Sequence, residues 1–125
     1  MAPLRIKICG ITNEADGRQA GLLGADAVGL NFCAGSPRRI DPVMANFILR
    51  ALPPFVEPVA VFADHPLQQV FAWVNQMGGL RTVQWYGEHR ELADTFPFAV
   101  IDTLSLAVIV LVPPIVVSAS PLARA

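Results

Sequence analysis

Cys9 is the residue of this chain best placed to do chemistry. It ends the stretch Arg5-Ile6-Lys7-Ile8, where isoleucine alternates with a cation and a period of two predicts a short strand. Gly10 follows, and a residue without a side chain lets the backbone turn sharply just after the thiol. Thr12 or Asn13 then offers an oxygen to the open amides of a helix predicted over residues 14–23. A thiol at such a strand-to-helix mouth lies where α/β proteins keep their reactive groups, and a neighbouring helix N-terminus favours the thiolate. The competing reading is a small buried hydrophobe, because unbridged cysteine is among the most buried residue types.

The elements that must position the thiol follow in order. Gly24-Ala25-Asp26 punctuates, and Ala27 to Phe32 reads as a buried strand, so strand, helix and strand form a parallel βαβ unit. Residues 33–40 form a loop by their Gly, Ser and Pro content, and Asp41-Pro42 caps a helix predicted to about residue 52. Met44, Phe47, Ile48 and Ala51 recur at helical steps and are expected to face the core, with Asn46 and Arg50 outward. A third strand is predicted over residues 55–62, with Val59 to Phe62 as its apolar part. A third helix presents Val70, Phe71, Trp73, Val74 and Met77 and is closed by Gly78-Gly79. A fourth strand spans 82–86, a weaker fourth helix 88–96 and a fifth strand 98–101. Successive βα units with no dinucleotide fingerprint and no phosphate-loop motif predict an α/β fold, either a doubly wound sheet or part of a (β/α)8 barrel.

Composition narrows the function classes. The 125 residues suffice for one domain, and a net charge of −1 without a cationic cluster gives no footprint for nucleic acid. The two cysteines, Cys9 and Cys33, show no metal-ligand spacing and no disulfide framework, which fits a reducing, cytoplasmic setting. Cys33 is expected to be inert packing. Met1 to Leu4 lack the regions of a secretion signal, so no export is expected. The apolar run from Leu104 to Val117, interrupted by Pro113-Pro114, is shorter than the roughly 20 residues of a membrane helix. Buried strands over 106–112 and 115–117 are the expectation, and no membrane is.

Six blocks in order, Lys7-Ile8-Cys9-Gly10-Ile11-Thr12-Asn13, Gly24 to Phe32, Ser36-Pro37-Arg38-Arg39-Ile40, Leu52 to Val56, Val59 to Phe62 and Val83-Gln84-Trp85-Tyr86-Gly87-Glu88, carry a resemblance to a known family. From about residue 4 to residue 88 the chain resembles the N-terminal part of phosphoribosylanthranilate isomerase, a (β/α)8 barrel enzyme of tryptophan biosynthesis. The resemblance implies an Amadori rearrangement of a phosphorylated sugar-anthranilate without cofactor or metal. Such chemistry needs an acid to open the ribose ring and a base to take the C2 proton. It places the base on Cys9, the contact to the anthranilate carboxylate on Arg38, whose planar fork suits a carboxylate, and a pocket-lining role on Gln84. The alternatives are a solvated loop charge for Arg38 and a satisfied buried amide for Gln84.

The likeness has two departures. Tyr86 stands where the family usually has histidine, and beyond about Ile101 the pattern is lost, before the sixth-strand aspartate and the later phosphate-binding segments. Asp102 follows an apolar strand at the functional rim and is a candidate substitute acid, against an N-cap or solvated turn. His65 and His89 read as surface loop and helix-start residues. Residues 1–101 are thus expected to form the first four to five βα units of a partial barrel, with 102–125 a divergent apolar tail. A full barrel takes roughly 200 residues or more. The partial one is expected to expose two sheet edges and an uncovered interior face, and so to pair with a second copy or a complementing barrel half. An isomerase and a non-catalytic partial barrel that oligomerises are the two leading functional expectations, and a phosphate-binding barrel enzyme of neighbouring chemistry is the third.

Overall fold

The computed structural model describes residues 4–63, 65–86, 99–102, 108–112 and 116–120. Seven strands and three helices lie among them. β1 (Lys7–Ile8) leads through α1 (Glu14–Leu22) to β2 (Ala27–Asn31), α2 (Pro42–Ala51), β3 (Glu57–Ala63), α3 (Leu67–Gln76) and β4 (Thr82–Tyr86). β5 (Ala99–Asp102), β6 (Val108–Val112) and β7 (Val116–Ser120) follow. The fourth helix predicted over residues 88–96, and His89 within it, lie outside the described residues.

Local chemistry accounts for the helix starts. Asn13 caps α1 by accepting from the Asp16 amide at 2.8 Å, and its own amide group donates to the Asp16 carboxylate at 2.9 Å. Asp41 does the same for α2 through the Met44 amide at 2.8 Å, with Pro42 supplying a helical φ and no amide to satisfy. α1 packs through a stripe of small residues. A Cβ on Gly17 would stand 3.1 Å from Ile48 Cγ2, and one on Gly21 would stand 2.5 Å from Pro53. Gly17 therefore lets α1 approach α2, and Gly21 lets it approach the segment that follows α2.

The strands form one sheet in the order β5-β4-β3-β2-β1-β6-β7. Every pair is parallel except β6 with β7, which is antiparallel. The chain is α/β, with the parallel order β1 to β5 of a partial (β/α)8 barrel. β6 pairs with the outer side of β1, Lys7 opposite Val110, and β7 covers β6 in turn. β5 and β7 are left as the edges.

Two faces follow from the register. Val28, Leu30, Phe32, Ala60, Phe62, Val83 and Trp85 point toward the helices and form one cluster with Ile48, Val70, Val74 and Met77. Phe32 stacks on Phe62 at 5.2 Å between ring centroids, and Trp73 closes edge-on at 5.6 Å from Phe32. The opposite face carries Gly29, Val59 and Thr82 in register, with Asn31, Val61 and Gln84 one layer above.

Three expectations are corrected. The interior face is not uncovered where it is described: Val59, Val61 and Gln84 are 1%, 2% and 0% exposed, the behaviour of a curled sheet whose inward side chains are enclosed. On α2, Met44 and Phe47 are exposed while Ala45 and Ile48 are fully buried. The helix is turned to seat Ile48 against Gly17, so its apolar periodicity gave the wrong phase. Asn46 is not free in solvent either, since its side chain donates to the Gln76 carbonyl at 3.0 Å and accepts from the Gly78 amide, tying α2 to the end of α3.

Candidate active site

Cys9 follows the last residue of β1, half-buried, and the chain reverses immediately behind it. Gly10 adopts φ +79°, a left-handed conformation that glycine takes without strain, as the sequence predicts. The amides of Gly10 and Ile11 both donate to the Gly29 carbonyl at 3.1 Å. The turn that presents the thiol is thus pinned to β2.

Gly10 also makes room for Arg38. A Cβ on Gly10 would stand 2.6 Å from Arg38 Cδ and 3.6 Å from Arg38 Nε, so the arginine stem lies flat across the glycine next in sequence to Cys9. The loop that delivers it is braced: the Arg38 amide donates to Ser36 Oγ at 3.1 Å, the Ile40 amide to the Asn31 carbonyl, and the Cys33 amide to Asn31 Oδ1. The Arg38 side chain has no hydrogen bond or ion pair to another described residue. A half-buried fork donor is left open to a ligand beside the thiol. Arg39 lines two other clefts, one of about 680 Å³ with Thr12, Ile40 and Met44 and one of about 370 Å³ with Cys33, His65 and Trp73.

Gln84 is fully buried on the interior face. Its Nε2 donates to Tyr86 Oη at 3.2 Å, and its Oε1 has no partner among the described residues. Tyr86, two residues on, shares that face and lies within electrostatic reach of Cys9 and Cys33. Partial burial pushes its phenol above the ordinary value of 10.0, and the two sulfurs add to the effect. The stability linked to Tyr86 is fully present below pH 10.0, where folded and unfolded chains both keep the proton. It is lost as pH rises further, because the unfolded chain gives up its proton first. Tyr86 is the sole tyrosine, so phenolate absorbance titrates it alone. A midpoint above 10.0 in the folded chain is expected, and a midpoint at or below that value contradicts this environment.

The remaining candidates separate. Asp102 ends β5 at the same C-terminal rim, its backbone paired opposite Trp85, four strands from β1 in the sheet; its side chain is outside those described. His65 braces the scaffold: its Nδ1 accepts from the Ala63 amide at 3.2 Å and its Nε2 faces the Phe32 carbonyl at 3.1 Å. The ring is wedged against Phe62 and Trp73, so His65 is a part-buried strut rather than the surface loop residue expected. No disulfide joins Cys9 and Cys33.

Sequence reasoning missed Lys7 and Gly29. A Cβ on Gly29 would stand 2.6 Å from Cys9 Sγ and 3.0 Å from Lys7 Nζ, so both side chains of this first strand segment lean over the glycine. Glycine inside a strand is a sign of close approach, and a period of two puts Lys7 on the face of Cys9.

Comparison with known proteins gives the family and the fold. The family model described as N-(5'-phosphoribosyl)anthranilate isomerase matches residues 6–110. A curated isomerase of that name from Acidithiobacillus ferrooxidans is 49% identical over 88 residues, covering 70% of this chain and 42% of the relative. One from Neisseria meningitidis is 41% identical over 91 residues, covering 73% and 43%. The crystal structure of the Thermus thermophilus phosphoribosyl anthranilate isomerase superposes with a TM-score of 0.67 at 35% identity, over 87% of this chain and 50% of that one. A crystal structure of the isomerase in complex with reduced 1-(o-carboxyphenylamino)-1-deoxyribulose 5-phosphate gives 0.68 at 33% identity, over 88% and 53%. The chain spans about two-fifths to one half of the length of these relatives, and no described helix is long and apolar enough to cross a membrane. With a thiol and an open guanidinium gathered at one rim of a parallel sheet, and a family model matched across most of its length, this chain belongs to the N-(5'-phosphoribosyl)anthranilate isomerase family.

Proposed function

We propose that this chain carries the base and the carboxylate-recognition half of an aldose-to-ketose isomerisation of N-(5-phosphoribosyl)anthranilate. The observation that carries the reading is Arg38 lying across Gly10 beside Cys9. In the ring-opened iminium form, the Cys9 thiolate takes the proton from C2. The C2–H electron pair becomes the C1=C2 double bond, and the iminium nitrogen is neutralised. The enol then loses its hydroxyl proton as C1 gains one, giving the 1-amino-1-deoxyketose. Electrons only move within the substrate, and the protein's task is to place a base, an acid and a carboxylate anchor.

Arg38 is assigned to the anthranilate carboxylate and Gln84 to the interior wall of the pocket. Asp102, at the rim end of β5, is the chain's own candidate for the acid that opens the ring. Two unbridged thiols suit a reducing, cytoplasmic setting. The open edges β5 and β7 favour assembly with a second copy or with a completing half-barrel, which gel filtration reads as a species larger than a monomer. A solved structure 32% identical to this chain is of monomers generated from the dimeric phosphoribosylanthranilate isomerase of Thermotoga maritima.

Calorimetric titration with the reduced carboxyphenylamino-deoxyribulose phosphate tests the assignment without requiring turnover. One-to-one binding is expected, weakened about tenfold or more by Arg38→Gln, the size of a lost charge-assisted hydrogen bond. Absence of binding, or equal affinity in the variant, overturns it.

A further inference from the structure

Lys7 is the polar residue of β1, and neither the base, the acid nor the carboxylate anchor draws on it. The residue is 8% exposed, and Nζ is buried with no hydrogen bond or ion pair to any described residue. An ammonium buried with no counter-charge among the described residues leaves a strong demand for an anion. The direction of that demand is fixed by Gly29. Lys7 Nζ and Cys9 Sγ lie 3.0 and 2.6 Å from the same point, where a Cβ on Gly29 would stand. The two heads are therefore at most about 6 Å apart, a range over which charges act strongly on one another.

We propose that Lys7 and Cys9 form an anion-receiving pair over Gly29, in which the Lys7 ammonium holds the oxyanion of a small ligand whose reacting carbon faces the thiol. Cys9 is half-buried and reachable from the rim, whereas Lys7 sits one layer deeper on the same face. A ligand entering past Arg38 meets the thiol first and the ammonium behind it. The identity of the oxyanion rests on the isomerase reading: it is the C2 oxygen, whose negative charge develops as the enol gives up its proton and which a fixed cation stabilises. The charge selectivity of the site does not depend on that reading.

The test compares alkylation of the intact chain by iodoacetate, which carries a carboxylate, and by neutral iodoacetamide. Peptide mass mapping resolves Cys9 from Cys33. Both reagents consume the same thiolate, so their rate ratio at Cys9 reports the local charge alone. Lys7→Met is expected to lower the iodoacetate-to-iodoacetamide ratio at Cys9 about fivefold or more, Lys7→Arg to retain it, and both to leave the ratio at Cys33 unchanged. An unchanged ratio in Lys7→Met overturns the proposal, as does an equal fall in Lys7→Arg. Should Lys7→Met not fold, an Arg38→Gln chain decides: with the Arg38 charge gone, its Cys9 ratio must still fall by a similar factor on unfolding in urea, and a constant ratio overturns the pair. Turnover enters nowhere, so the ratio decides the matter even in a chain without isomerase activity.

Discussion

Phe62→Ala is expected to remove about 3–5 kcal/mol of folding stability, the range for deleting a buried aromatic ring. Phe62 is 0% exposed on the helix side of the sheet. Its ring stacks on Phe32 and meets His65 edge-on at 5.1 Å, with Trp73 at 6.4 Å. These partners come from the end of β2, from α3 and from the loop between β3 and α3, so the cavity left by alanine cannot be filled by one side chain moving. His65 would lose a wall while still bound to the Ala63 amide and facing the Phe32 carbonyl. Against a typical stability of about 5–15 kcal/mol, such a loss takes the fold to the edge of unfolding. Urea denaturation reads it directly, and a loss below about 1 kcal/mol would show that the helix-side core is not where the fold is held.

Cys9→Ser is expected to lower turnover by about 10²–10⁴-fold while leaving ligand affinity nearly unchanged, because a hydroxyl occupies the thiol's place but ionises far less readily at neutral pH. The assay uses the chain together with the C-terminal half of a relative, which supplies the strands that this chain does not match. Arg38→Gln is expected to divide the other way, raising KM more than it lowers kcat, since the carboxylate anchor acts on bound substrate and transition state alike. A Cys9→Ser chain that keeps turnover within about tenfold of the wild type removes Cys9 from the role of base.

Much of this site was legible because its signals are local. Gly10 after a strand predicts a turn and adopts φ +79°, Asp41-Pro42 predicts a helix start and caps α2, and the β-branched and aromatic run Thr82–Tyr86 is a strand over those bounds. Lys7 was not legible as an interior residue, because alternation with Ile6 and Ile8 reads as one wet face. A curled parallel sheet buries both faces, and Lys7 is enclosed. Gly29 read as part of an apolar strand, while its function lies in the side chain it lacks. The phase of α2 was misread for a similar reason. Met44 and Phe47 outweigh Ala45 in hydropathy, yet Ala45 and Ile48 are the residues fully buried, and it is Ile48 that lies against Gly17 of α1. The pairing of β6 with β1 is a nonlocal choice between parallel partners, and no periodicity in residues 108–112 records it.

The central claim is that Cys9 and Arg38 serve one ligand at one rim. Protection of Cys9 from iodoacetamide by the reduced carboxyphenylamino-deoxyribulose phosphate measures it most directly. A saturating concentration is expected to slow Cys9 alkylation at least about tenfold in the wild type, with Arg38→Gln requiring a correspondingly higher concentration for the same protection. Alkylation of Cys9 at an undiminished rate in the presence of bound ligand would contradict the claim.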